Sequence, residues 1–129
     1  MPAAAKIQVV VVDDQLTMRA LVRSGLQQIG ITQVREFAGA AEALQNLAAQ
    51  SAHMIISDFN MPDVDGLEFL KRLRSDARFQ NTAFILLTGR ADKELVTRAL
   101  QSGANNYLVK PFTVGVLKSK IEQVVGALT

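Results

Sequence analysis

Three carboxylates, a hydroxyl and an ammonium carry the chemistry open to this chain. Asp13 and Asp14 end the apolar run Ile7–Val12, and Asp58 stands just past Met54–Ile56, where it opens the polar loop Phe59–Gly66. Thr88 ends Ala83–Leu87 and Lys110 ends Tyr107–Val109. Taken singly, an Asp or Thr at the end of a strand is usually a turn residue. Four runs ending on groups suited to the same chemistry argue for a site.

Two carboxylates about 4 Å apart repel by roughly 4 kcal/mol at an effective dielectric of 20, and three such pairs would form here. One lysine offsets part of that. A hard, oxygen-rich site suits Mg²⁺, which keeps several waters and takes one or two carboxylates with phosphate oxygens. Zinc is not indicated, because there is no cysteine and His53 is the only histidine, placed where a structural or surface role is expected. A carboxylate can act as a nucleophile and carry a phosphoryl group. Asp58 is the expected acceptor. Asp13 and Asp14 would hold the metal, Lys110 would pair with the nucleophile and then with a phosphate oxygen, and Thr88 would donate its hydroxyl to another.

What must position these groups is a set of strands. The four runs are strand-length and apolar on both faces, as parallel strands covered on two sides require. A fifth, Val34–Phe37, interleaves Arg35 and Glu36, which fits an edge strand. Between the runs lie helical stripes. Met18, Leu21, Val22, Gly25, Leu26 and Ile29 form the first, stopped by Gly30. Ala40, Ala43, Leu44 and Leu47 form a second; Leu67, Leu70 and Leu73 a third; Leu95, Val96, Ala99 and Leu100 a fourth, ended by Gly103. Val114, Leu117, Ile121, Val124 and Leu128 form the last, with Thr113 as its N-cap. All are expected to be core. Five βα units imply an α/β fold with a parallel sheet and helices on both faces. Ligands of such sheets bind outside the carboxyl ends of the strands, where the chemistry-bearing residues stand.

The 129 residues make one domain, with 49% apolar and 20% charged residues. Residues 1–5 read as a flexible N-terminal tail and 6–128 as the domain. The absence of cysteine suits a reducing cytoplasm, and no segment reads as a membrane span or signal peptide. Net charge is +2, split as −4 over residues 1–68 and +6 over 69–129. That asymmetry is mostly solvated helix surface, or else a basic docking face for an acidic peptide. Nucleic-acid binding is not expected, since no clustered basic helix appears.

The segments Val10–Asp14, Ser57–Gly66, Leu87–Gly89 and Val109–Phe112 resemble, in order, the motifs of bacterial two-component response regulator receiver domains. The likeness runs over residues 6–128 and is nearest to the single-domain chemotaxis type, given Met18–Arg23 and the stretch from Lys110 to Leu117. It implies a flavodoxin-like, doubly wound five-stranded sheet of order 2-1-3-4-5 with five helices. It also implies that Asn60 lends its backbone carbonyl to the metal beside Asp13, Asp14 and Asp58, and that the bond before Pro111 is cis. Thr88, Tyr107 and Pro111 would form the switch, Tyr107 turning inward as Thr88 moves toward the phosphate. Arg90 stands two residues past Thr88, at a position where receivers vary.

The resemblance further implies a stand-alone, monomeric cytoplasmic regulator. A histidine kinase phosphorylates it on Asp58 with Mg²⁺, and its 92–128 face then binds a protein target, in chemotaxis or motility output such as the flagellar motor switch. A phosphorelay shuttle or phosphate sink, working with a histidine phosphotransfer protein, is the alternative. An aspartate-nucleophile phosphohydrolase is more remote: it needs a second acid two residues after the nucleophile, where Asn60 stands, and usually a cap domain. A flavin carrier would need a hydroxyl- and glycine-rich loop where Asp13-Asp14-Gln15 stands. A turnover enzyme is not expected.

Overall fold

The β-branched run Val9–Val12 has no polar residue to face water, so it forms a strand buried on both sides. In the computed structural model, which describes residues 2–89 and 92–129, this is β1 (Gln8–Val12), with Val9 to Val12 fully buried. The other strands are β2 (Gln33–Phe37), β3 (Met54–Asp58), β4 (Ala83–Thr88) and β5 (Asn106–Val109). All pairs are parallel and the order is β2-β1-β3-β4-β5. The interleaved charges of Val34–Phe37 do place β2 at an edge. At the other edge β5 alternates buried and half-buried residues.

Helices cover both faces: α1 (Leu16–Ile29), α2 (Ala40–Ala49), α3 (Gly66–Arg74), α4 (Lys93–Gln101) and α5 (Val114–Val125). Period-two alternation along the strands divides the core in two. Val10, Val12, Ile55, Phe84 and Leu86 pack with α2, α3 and α4; Val9, Val11, Ile56, Ile85 and Leu87 pack with α1 and α5. Phe69 of α3 meets Phe84 edge to face at 5.9 Å, both fully buried. Thr113 caps α5, its Oγ1 accepting the Val116 N–H at 3.1 Å. Gly30 ends α1 with φ 103°, a left-handed conformation that glycine adopts without steric cost.

The periodic stripes overstate the core in three places. Leu21 is 54% and Leu100 45% exposed, because an i, i+3, i+4 pattern does not show how wide a stripe the neighbouring layer covers. Leu128 lies beyond the last helix, which stops at Val125 before Gly126; it returns half-buried against the α1–α5 layer. Residues 2–5, read in the sequence as part of a tail, pack: Ala4 is buried, its N–H donates to the Thr129 carbonyl, and the Thr129 N–H donates to that of Pro2, each at 3.0 Å. Arg90 lies outside the described residues. Among the described residues no helix is long and apolar enough to cross a membrane.

Candidate functional site

The strand ends deliver their polar groups to one rim. Asp13 follows β1, and its N–H donates to the Phe37 carbonyl at 3.1 Å, extending the β1–β2 ladder by one residue. Its Oδ1 accepts the Gln15 N–H at 2.9 Å, and its carbonyl accepts Arg19 Nη1 at 2.6 Å. Arg19 is held from behind by Glu36 on β2, 3.8 Å from its Nε, and Glu36 also takes Arg23 at 2.5 Å. Asp58 closes β3 opposite Leu87 of β4, so Thr88 stands one residue beyond that pair. Asp13, Asp58 and Thr88 are buried; Asp14 is exposed.

Lys110 Nζ lies 2.8 Å from Asp58 Oδ1 and 3.7 Å from Asp13 Oδ2. One carboxylate oxygen from each of Asp13, Asp14 and Asp58 lies within 4.8 Å of the other two. One ammonium therefore faces three carboxylates. Burial pushes the Asp13 carboxyl above its ordinary range; the charges of Asp58 and Asp14 push the same way, and the Gln15 N–H and Lys110 only partly oppose them. Asp13 Oδ2 is buried with no hydrogen-bond partner among the described residues. A buried carboxylate oxygen that takes no hydrogen bond and faces two other carboxylates is a fitting ligand for a hard divalent cation. The donor set is all oxygen, which matches Mg²⁺ rather than zinc.

The loop after Asp58 folds back at once. The Phe59 N–H donates to Leu87 O at 2.9 Å and Gly66 N–H to Phe59 O at 2.7 Å. A Cβ on Gly66 would stand 2.5 Å from the Asp58 carbonyl oxygen, so only glycine closes this loop. Asn60 lines an open depression of about 330 Å³ with Asp14, Asp58, Asp65 and Lys110. A neighbouring cavity of about 510 Å³ takes in Asn60, Thr88, Gly89 and the start of α4.

The rim thus unites Asp13, Asp14, Asp58 and Lys110, with Asn60 beside them and Thr88 in the adjoining cavity. Tyr107 is set apart. On β5 it pairs with Leu86 of β4; it is half-buried, and its ring is covered by Lys120 Nζ of α5 at 4.0 Å from the centroid. The register puts Tyr107 and Thr88 on the same face of the sheet, two residues apart along it. The Lys110–Pro111 peptide bond is cis, as the resemblance implied. His53 is exposed at the opposite end of the sheet, its Nδ1 accepting the Gln8 N–H at 2.9 Å, a structural role.

Sequence reasoning passed over Asp63 and Arg19. Asp63 Oδ2 accepts the Ala41 N–H at the start of α2, 22 residues away in sequence. The available signal was α2 itself, whose N-cap is Gly39 and brings no side-chain acceptor. No comparable signal marks Arg19 as a partner of the Asp13 carbonyl.

Residues 9–122 match the response regulator receiver domain model. The chain is 44% identical over 128 residues, 99% of both chains, to a Rhizobium etli protein described as "Probable chemotaxis protein CheY". It is 41% identical to chemotaxis protein CheY1 of Helicobacter pylori, over 93% of this chain and 98% of that one. The structure of chemotaxis response regulator CheY4 of Vibrio cholerae superposes with a TM-score of 0.84 at 32% identity, covering 96% and 99% of the two chains. Such proteins signal rather than turn over substrate. A parallel sheet of order 2-1-3-4-5, an acidic rim completed by one lysine and a family match across nearly the whole chain agree: this protein belongs to the response regulator receiver domain family, as a receiver of the CheY-like chemotaxis type.

Proposed function

We propose that Asp58 accepts a phosphoryl group from the phosphohistidine of a histidine kinase, and that the phosphorylated chain binds a protein of the chemotaxis or motility output. The observation that carries this reading is the 2.8 Å contact of Lys110 with Asp58 inside the three-carboxylate rim. An Asp58 oxygen attacks phosphorus, a P–O bond forms, the donor's P–N bond breaks, and the imidazole leaves with its electron pair and takes a proton. Lys110 pairs with Asp58 at 2.8 Å and then holds one phosphoryl oxygen. Thr88 donates its hydroxyl to another. Asp13, Asp14, Asp58 and the Asn60 carbonyl would hold Mg²⁺, which supplies charge neutralisation for the incoming phosphoryl oxygens.

The output follows from the new charge. A phosphoryl group adds roughly −1.5 to −2 charges and three acceptor oxygens. Drawing Thr88 toward them opens space on the face it shares with Tyr107, the lead to the 92–128 surface. A shift from 1:99 to 99:1 needs about 5.5 kcal/mol. Each charged hydrogen bond is worth roughly 1.5–3 kcal/mol, so two or three contacts approach that total and partner binding supplies the rest. The test is incubation with Mg²⁺ and a small acyl-phosphate donor, read by intact mass. Wild type should gain one phosphoryl group and Asp58→Asn none; equal labelling of both refutes the acceptor assignment. Capture of an output protein only by the form loaded with a stable acyl-phosphate mimic supports the signalling role. Capture of a histidine phosphotransfer protein instead would make the chain a shuttle.

A further inference from the structure

The loop between β3 and α3 holds a carboxylate that this phosphoryl chemistry does not use. Asp63 Oδ2 accepts the Ala41 N–H at 2.9 Å, and its Oδ1 accepts the Val64 N–H of its own loop at 2.8 Å. The first bond reaches the opening turn of α2. Orphan N–H groups there need acceptors, and the helix dipole favours an anion. Gly39, the N-cap of α2, gives no side-chain bond, and a Cβ on it would stand 3.1–3.2 Å from all three carboxylate atoms of Asp63. The glycine leaves room for an acceptor that arrives from another loop. Burial raises the Asp63 carboxyl, but the backbone N–H groups of Ala41, Val64, Ala40 and Asp63 itself outweigh it and bring the carboxyl below its ordinary range, so the anion is the form being held.

The loop's other anchors lie on either side. Phe59 is tied to Leu87 and Gly66, and Asp65 caps α3 by accepting the Glu68 N–H at 2.8 Å. Asn60 to Pro62 run between Phe59 and Asp63, with Met61 packed on the core and its Sδ accepting the Ser57 hydroxyl at 3.8 Å. We propose that Asp63 is a positioning residue for the acceptor loop: by capping α2 it holds the stretch that presents the Asn60 carbonyl, and so tunes the metal affinity of the rim. The proposal rests on the metal role assigned to Asn60 above.

The test uses the full chain with Asp63→Ala, Asp63→Asn, Gly39→Ala and, as control, Asp76→Ala, which removes a cap ahead of β4, at the end of that strand away from the rim. Mg²⁺ affinity is measured by calorimetry, and amide hydrogen exchange is followed at Ala41 and Gly66. Asp63→Ala should weaken Mg²⁺ roughly threefold to tenfold, below or at the edge of the tenfold to hundredfold loss for groups bonded directly to a ligand. Asp63→Asn, which keeps one acceptor oxygen, should fall between it and wild type. Gly39→Ala, approaching the same contact from the helix side, should also weaken Mg²⁺, and exchange at Ala41 and Gly66 should speed up in both alanine variants. Wild-type affinity in Asp63→Ala, or an equal loss in Asp76→Ala, overturns the proposal. If wild type takes up no Mg²⁺, the function proposed above fails, while unchanged exchange at Ala41 and Gly66 would separately show that Asp63 holds nothing.

Discussion

Replacing Asp13 by Asn should make the metal-free protein more stable, not less. Asn keeps the Oδ1 that accepts the Gln15 N–H and removes the charge on the buried Oδ2, which takes no hydrogen bond. With oxygens within 4.8 Å, Asp14 and Asp58 each repel Asp13 by at least about 3.5 kcal/mol at an effective dielectric of 20. Lys110 at 3.7 Å returns about 4.5 kcal/mol on the same scale. The balance is unfavourable by about 2–3 kcal/mol before the cost of burying the oxygen is added, and water at the open rim screens part of it. We expect Asp13→Asn to gain about 1–3 kcal/mol in urea denaturation without Mg²⁺.

Magnesium should reverse the comparison. A ligand at 100 times its dissociation constant stabilises the native state by about 2.7 kcal/mol, a gain open to wild type and largely closed to the variant. The two stability curves should therefore converge or cross as Mg²⁺ rises. The pH dependence has a fixed sign. Because the native carboxyl is raised above 3.8, the native state binds the proton more tightly than the unfolded chain. Ionised Asp13 then costs stability, with no effect below 3.8 and the full cost above the native value, so the variant's advantage should grow as pH rises through that window. A variant destabilised without Mg²⁺ would refute the reasoning, since it would mean that Lys110 more than satisfies Asp13.

Gly66→Ala forces a Cβ to within 2.5 Å of the Asp58 carbonyl oxygen and 3.0 Å of Phe59 Cα; we expect about 1–3 kcal/mol of destabilisation in urea, together with a loss of Mg²⁺ affinity because Asp58 must shift. Phe69→Ala empties a fully buried site against Phe84 and should cost about 3–5 kcal/mol in the same assay with no change in the slope of the transition. Asp63, whose carboxyl is lowered, contributes stability that is fully present above 3.8 and lost as pH falls through its native value, so the gap between wild type and Asp63→Asn should shrink with acid in a pH series of thermal melts.

The sequence made the sheet and the rim legible for one reason: a strand buried on both sides cannot carry a charge until it ends. Val9 to Val12, Met54 to Ile56 and Ala83 to Leu87 are uniformly apolar, so Asp13, Asp58 and Thr88 mark the strand ends directly. Arg35 and Glu36 marked the edge in the same way. Helix faces were less legible because exposure depends on the neighbouring layer: Leu21 and Leu100 keep the period yet meet water. Contacts distant in sequence left no periodic trace. The Arg19 bond to the Asp13 carbonyl follows no pattern, and the Asp63 cap is detectable only as a helix that lacks an acceptor of its own. The likeness to receivers supplied the strand order and the cis bond, which hydrophobic pattern alone does not determine.

The same geometry explains why the rim cannot relieve its own crowding. Asp13 and Asp58 are buried at the ends of paired strands, and the ladder fixes their backbone positions, so the two cannot move apart without shifting the strands. Only exposed Asp14 is free to swing away, and doing so would still leave Asp13 and Asp58 sharing one lysine. Strain of this kind, held by a rigid sheet, is relieved by whatever cation enters, and the relief is coupled to any group that then binds Asp58. A receiver with a relaxed rim would be more stable and less responsive. The Asp13→Asn experiment measures that trade directly, because the stability gained without metal and the stabilisation by metal that is lost come from the same charge.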